Sequence, residues 1–77
     1  MKIKKGDAVL VTWTDAQSHN NWQDTKGPFP PAAARSLGFV IEDTPKYLSV
    51  AQSLADDGTL GDVLSIPRGM IQKIVKK

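Results

Sequence analysis

Trp13 and Trp22 stand nine positions apart, and among and just after them run Asp15, Gln17, Ser18, His19, Asn20, Asn21 and Asp24. No other stretch of the chain is as dense in groups that can hold a ligand. Hydroxyls, carboxamides and carboxylates supply hydrogen bonds, while indole rings offer the flat apolar surface that is over-represented at contact hot spots. Arg35 and Ser36 follow where an apolar pattern resumes, and Arg68 lies beside a later turn. Guanidinium groups pair with phosphate or carboxylate in bidentate fashion. A site built from Trp13, Asp15, Ser18, His19, Trp22, Arg35, Ser36 and Arg68 would therefore suit an anionic or planar ligand, and equally a protein partner. Each residue also has a plainer use. Asp, Asn and Ser side chains stabilise loops by bonding to nearby backbone. Trp13 can plug a core at the end of a strand, and Trp22 can pin the loop down. Each arginine has Asp15, Asp24, Asp43 or Asp62 as an ion-pair mate.

Catalytic chemistry has far less to work with. There is one histidine, no cysteine, and the carboxylates are scattered mainly through turns. His19 and Ser18 are neighbours in sequence, which does not give the nucleophile, base and orienting group that activation requires. The "DDG" at 56–58 lacks the alternating acidic ligands and terminal glutamate of a calcium loop, and no phosphate-binding glycine loop or paired histidine ligands occur. A non-catalytic protein with no cofactor and no metal is expected.

Seventy-seven residues make one domain that buries roughly 60 to 65 per cent of its unfolded surface. A domain of that size gains from any added stabilisation, and self-association into a homo-oligomer is one source. Without cysteine there are no disulfides, so a reducing cytoplasm is the expected compartment. The opening "MKIKKGDAVLVTW" is too short an apolar run to span a membrane and lacks a small-residue cleavage pattern. Formal charge is +2, but Lys2, Lys4 and Lys5 open the chain while Lys73, Lys76 and Lys77 close it. If the ends meet, they form a basic patch able to bind nucleic acid.

The elements that must position these residues are mostly strands. Residues 8–14 alternate Val9, Val11 and Trp13 with Ala8, Leu10 and Thr12, apolar on both faces, which suggests a barrel. Residues 36–43 and 46–55 flank the turn "DTP" and read as a hairpin, and "DDG" joins the second of these to 61–66. "PRGMIQKIVKK" then reads as one helical turn leading into a short last strand. Helical signal is weak elsewhere; the longest compatible run, "PAAARSL" at 31–37, is about two turns. Residues 15–34 make a connection well beyond the usual length of about four to six residues. Its large apolar side chains and the stiff "PFPP" at 28–31 favour an ordered flap over one end of the molecule.

In this order of elements, with "SIPRGMIQKIVKK" as strand, proline-led 3₁₀ turn and closing strand, the chain resembles the SH3-like small β-barrels. The resemblance implies an all-β fold: a five-stranded barrel with a long first loop and a 3₁₀ turn before the last strand. It also implies that the first and last strands pair, uniting the terminal lysines. It does not extend to the proline-peptide-binding members, which carry an aromatic-rich motif near the first strand and a tyrosine in the 3₁₀ turn, where this sequence has "VLVTWTD" and Met70. The Trp-x-Asp at Trp13, the second tryptophan, Ser36-Leu37-Gly38 and the "IPxxxI" from Ile66 are similar to small uncharacterised proteins of bacteriophages and prophages. That likeness brings no activity with it; the aromatic and polar loop is what points to a binding protein, engaging a host protein or a small anionic ligand through the long loop and barrel rim, in the host cytoplasm if the chain is phage-encoded. Nucleic-acid binding and a structural, oligomer-forming role are the alternatives.

Overall fold

The computed structural model describes residues 2–15, 27, 28 and 30–77. Five strands form one antiparallel sheet: β1 (Ala8–Asp15), β2 (Ala32–Asp43), β3 (Tyr47–Leu54), β4 (Leu60–Pro67) and β5 (Ile71–Lys76). A 3₁₀ turn, Arg68–Met70, joins β4 to β5, and there is no α-helix among the described residues. The order across the sheet is β4-β3-β2-β1-β5, so β4 and β5 are its two edges and no ladder closes it into a ring. Pro67, which has no N–H to donate, ends edge strand β4, a position that tolerates it.

Alternation decides which face is buried. Val9 and Val11 of β1 are wholly buried, as are Val40 of β2, Leu48 and Val50 of β3 and Ile66 of β4. Trp13, Ile71, Ile74 and Ile3 pack against that cluster. Side chains from both edge strands thus reach one core, which requires the sheet to curl strongly about it. Trp13 does contribute to the core, as its place at the end of the first strand suggested.

Both tight turns follow from their residues. At 44–47 the Thr44 Oγ1 accepts the Tyr47 N–H at 3.0 Å and the Lys46 N–H at 3.2 Å, and the Thr44 N–H donates to the Tyr47 carbonyl at 3.0 Å. At the β3–β4 turn Gly58 takes φ +88°, while Asp57 Oδ1 accepts from the Thr59 N–H and hydroxyl at 3.0 and 2.7 Å. A side-chain acceptor that caps its own turn is the behaviour expected of Asp and Thr in such positions.

One segment differs from its local propensity. The alanine-rich run at 31–37 is strand from Ala32 onward, paired residue for residue with β1 from Asp15↔Ala32 to Leu10↔Leu37. Alanine is the best helix former, but intrinsic propensity is small per residue, and a long ladder against a core strand overrides it. The first connection is shorter than the sequence suggested, since Ala32–Ala34 already belong to β2. The expectation of an ordered flap falls on residues 16–26 and Phe29, outside the described residues.

Gly38 marks a fork in the sheet. It is buried, and a Cβ placed there would lie 2.8 Å from the Ala51 carbonyl oxygen and 3.2 Å from Val50 Cβ. Strand β3 can press this closely on β2 only because Gly38 has no side chain. Pairing between β2 and β3 runs from Asp43↔Leu48 to Phe39↔Ala51 and stops there, while β3 and β4 stay paired as far as Leu54↔Leu60. Among the described residues, the N-terminal half of β2 beyond Gly38 is paired with β1 alone.

Candidate functional site

Strand alternation separates the residues that the sequence pointed to. Trp13 and Ser36 both face the core side, where the indole Nε1–H donates to Ser36 Oγ at 3.0 Å. Arg35, one residue before Ser36, is exposed on the opposite, outer face. Asp15 is exposed at the end of β1, opposite Ala32. Arg68 lies in the 3₁₀ turn, where its guanidinium is ion-paired with Asp43, its Nε–H donates to the Thr44 carbonyl at 3.1 Å, and its backbone N–H donates to Lys46 O at 2.9 Å. Arg68 therefore clamps the β2–β3 turn to the 3₁₀ turn. Eight residues of β2 separate Arg35 from Asp43, about 26 Å of extended chain, so the two arginines do not share a pocket. Ser18, His19 and Trp22 lie outside the described residues.

The two ends of the chain meet, because β1 pairs with β5 from Val9↔Lys76 to Trp13↔Ile71. Asp7 sits between Lys4 and Lys76 there. Its Oδ2 accepts the Lys4 backbone N–H at 3.0 Å and lies 3.5 Å from Lys76 Nζ. That backbone donor, with Lys76 beside it, holds the Asp7 carboxyl below the ordinary carboxylate range. Asp57 is lowered likewise by the Thr59 N–H and hydroxyl. The Tyr47 hydroxyl is raised by its 3.1 Å hydrogen bond to Glu42 and by that carboxylate's charge.

The geometry brings forward a surface that the sequence reading passed over, the outer face of β5-β1-β2. Register places Lys73, Thr12 and Arg35 in one row across three strands, and Val75, Leu10 and Leu37 in the next. Ala8 and Phe39 continue it, and the Lys77 N–H donates to the Ala8 carbonyl at 2.8 Å. With strands about 4.8 Å apart, each row spans about 10 Å. Leu37 is 64% exposed, the most of any large apolar residue described. Beside it opens a cleft of about 550 Å³ lined by Ala8, Leu37, Gly38, Phe39, Gln52 and Lys77.

Charge on this face has one sign. The ion pairs among the described residues are Arg68–Asp43 and Lys76–Asp7, which leaves Arg35, Lys73 and Lys77 without a carboxylate partner there. Asp7 is held by Lys4 and Lys76, Glu42 by Tyr47, Asp43 by Arg68 and Asp57 by Thr59. Asp62, on β4, lines the neighbouring cleft with Leu37, Ser36 and Leu64 and is off the outer face of β5-β1-β2. A signal for this face was present in the sequence: Ala8, Leu10 and Thr12 made β1 apolar on both sides. Arg35 was hidden because the strand was expected to begin only at Ser36, and Leu37, inside that expected strand, was not assigned to a face.

No group of His, Asp or Glu among the described residues is arranged to hold a metal ion. No helix among them is long and apolar enough to cross a membrane. Compared with protein-family models, with characterised proteins and with solved structures, the chain matches none.

Proposed function

We propose that this chain is a non-catalytic binding protein that holds an acidic, partly apolar segment of a protein partner on the outer face of β5-β1-β2. The observation that carries the reading is Leu37, 64% exposed in a row with Leu10 and Val75, bordered by Arg35, Lys73 and Lys77. A large leucine left in water beside other apolar groups marks a contact surface, and a rim of one charge selects a partner of the other. Aliphatic side chains dominate the face and Phe39 is its one aromatic among the described residues. That composition favours a protein segment over stacked bases.

Several expectations from the sequence join this proposal. The strand order and the proline-led 3₁₀ turn between β4 and β5 support an SH3-like architecture. The single histidine and the lack of cysteine support a role without catalysis. Origin in a bacteriophage or prophage, a host-protein partner and action in the host cytoplasm belong to the same reading and rest on the motif likeness. Nucleic acid held by Lys2, Lys4, Lys5, Lys73, Lys76 and Lys77 is a second reading, favoured by the β1–β5 pairing that unites the termini. Asp7 within that cluster weakens it.

Fluorescence anisotropy with three labelled probes tests the proposal: a peptide of alternating threonine, valine and glutamate, its lysine-for-glutamate counterpart, and an oligothymidylate. The acidic peptide is expected to bind, and Leu37→Glu to abolish that binding while unfolding stays cooperative. Equal binding by the variant, or binding of the oligonucleotide alone, overturns it.

A further inference from the structure

The fork at Gly38 leaves backbone groups without strand partners, and their direction can be worked out. The Val40 N–H donates to Asp7 O and its carbonyl accepts from the Gly6 N–H, both at 2.8 Å, so both groups of Val40 point toward the β1 side. In a strand that direction alternates with each residue. Gly38, Ser36 and Ala34 therefore bond to β1, while Phe39, Leu37, Arg35 and Ala33 aim the other way. Phe39 meets Ala51, and the β2–β3 ladder ends with that pair. Among the described residues no strand lies beside the N–H and C=O groups of Leu37, Arg35 and Ala33.

Across the gap runs the departing end of β3. Ala51 directs its groups toward Phe39, and beyond it β3 stays paired with β4 through Ser53↔Gly61. Between the two walls lies a cleft of about 270 Å³ whose lining includes Ser36, Val50, Gln52, Asp62 and Leu64. An unpaired strand edge bordered by an exposed apolar side chain is a template for another strand.

We propose that Ala33–Leu37 is a strand-addition site, taking an extended segment of the partner protein antiparallel to β2. This rests on the reading of the outer face as protein-binding and names how the partner is held. Main-chain bonds to Leu37 and Arg35 provide affinity, and the side chains beside them set the sequence. In the antiparallel sense, the segment places an apolar residue opposite Leu37 and, two positions later, an acidic residue opposite Arg35. The residue between them points into the cleft beside Ser36. A second copy of this chain is the poorer occupant. Antiparallel self-pairing centred on this stretch sets Arg35 opposite Arg35 of the copy, and like charges directly opposite are destabilising.

The probe is a labelled heptapeptide, threonine throughout except for a central valine-threonine-glutamate, with variants methylated at single backbone nitrogens. Methylation at the valine or the glutamate is expected to weaken binding by at least about tenfold, since each removes a ladder bond and adds bulk. Methylation at the threonine between them is expected to change it by less than about twofold, because that N–H faces away. Arg35→Glu is expected to transfer preference to the lysine-bearing counterpart. In hydrogen exchange, the Leu37 and Arg35 amides gain protection with peptide, while those of Ser36 and Gly38, already bonded to β1, do not. If the acidic peptide binds through Leu37 with no alternation in the methyl scan, strand addition falls and the face reading stands. If no acidic peptide binds, both fall. Core-level protection of the Leu37 and Arg35 amides in the free protein, or light scattering that shows a dimer broken by Arg35→Glu, also overturns strand addition.

Discussion

Replacing Gly38 by alanine tests the fork on which the candidate site depends. The added methyl would stand 2.8 Å from the Ala51 carbonyl oxygen and 3.2 Å from Val50 Cβ. The first contact is with backbone in a paired strand, which cannot swing aside as the end of a long side chain can. Overpacking of this kind costs about 1–3 kcal/mol. Gly38 is not among the residues with positive φ, so no backbone strain adds to the clash. Alanine also narrows the unfolded ensemble, which offsets about 0.4–1 kcal/mol. Mid-range values leave a net loss of about 1.3 kcal/mol. At about 4–8 °C per kcal/mol for a domain of this size, Tm is expected to fall by about 5–10 °C in a thermal melt followed by circular dichroism. Gly69→Ala is the control: a Cβ there meets nothing within 4 Å and its φ is ordinary, so Tm is expected to hold or rise by a few degrees. If Gly38→Ala melts with the wild type, β3 does not press on β2 at this point. The open edge from Ala33 to Leu37 then loses its structural basis.

Two further outcomes concern named hydrogen bonds. Trp13→Phe and Ser36→Ala each remove one side of the 3.0 Å indole–hydroxyl bond and are expected to cost about 0.5–1.5 kcal/mol in urea unfolding; a double-mutant cycle should show them to be coupled, and additive losses would mean that the bond contributes nothing. Asp7, whose carboxyl is held low by the Lys4 N–H and then by Lys76, contributes stability that is present above the unfolded carboxylate pKa and lost as pH falls through the folded one. Asp7→Asn is therefore expected to be less stable than wild type at pH 7 and to converge with it as pH falls below the lowered folded value. A gap that stays constant across that range would show that the carboxylate charge is not what stabilises this corner.

Period-two alternation made the fold class legible. Residues 8–14 pointed to a strand apolar on both faces, of which the sheet, left open, buries Val9 and Val11; "DTP" and "DDG" pointed to the two tight turns, and Pro67 to the turn before the last strand. What local pattern could not carry was where β2 begins, because Ala32–Ala34 owe their conformation to pairing with β1 and not to their own propensity. That one boundary had a large consequence for the site. With 15–34 read as loop and the strand begun only at Ser36, Arg35 and Ser36 looked like neighbours able to converge with Trp13; in a strand, consecutive residues face opposite sides. Arg68 was legible in kind, since Asp43 was among its expected mates.

The same alternation explains why fold and candidate site depend on a single glycine. Strands packed on both sides of β2 along its whole length would satisfy every backbone group and leave only the outer face for recognition. Letting β3 cross at Gly38 brings Val50 and Leu48 onto the core but carries the rest of β3 away, with β4 following it as far as Leu60. Close packing at one residue is thus followed by an edge with no strand beside it among the described residues. Leu37 and Arg35 lie on that edge with an apolar side chain and a cation turned outward, so sequence preference and main-chain pairing act on one segment of partner. Moving the cation to the other face, by exchanging Arg35 and Ser36, preserves composition and net charge. If the placement is what matters, that exchange should abolish selection of the glutamate-bearing peptide.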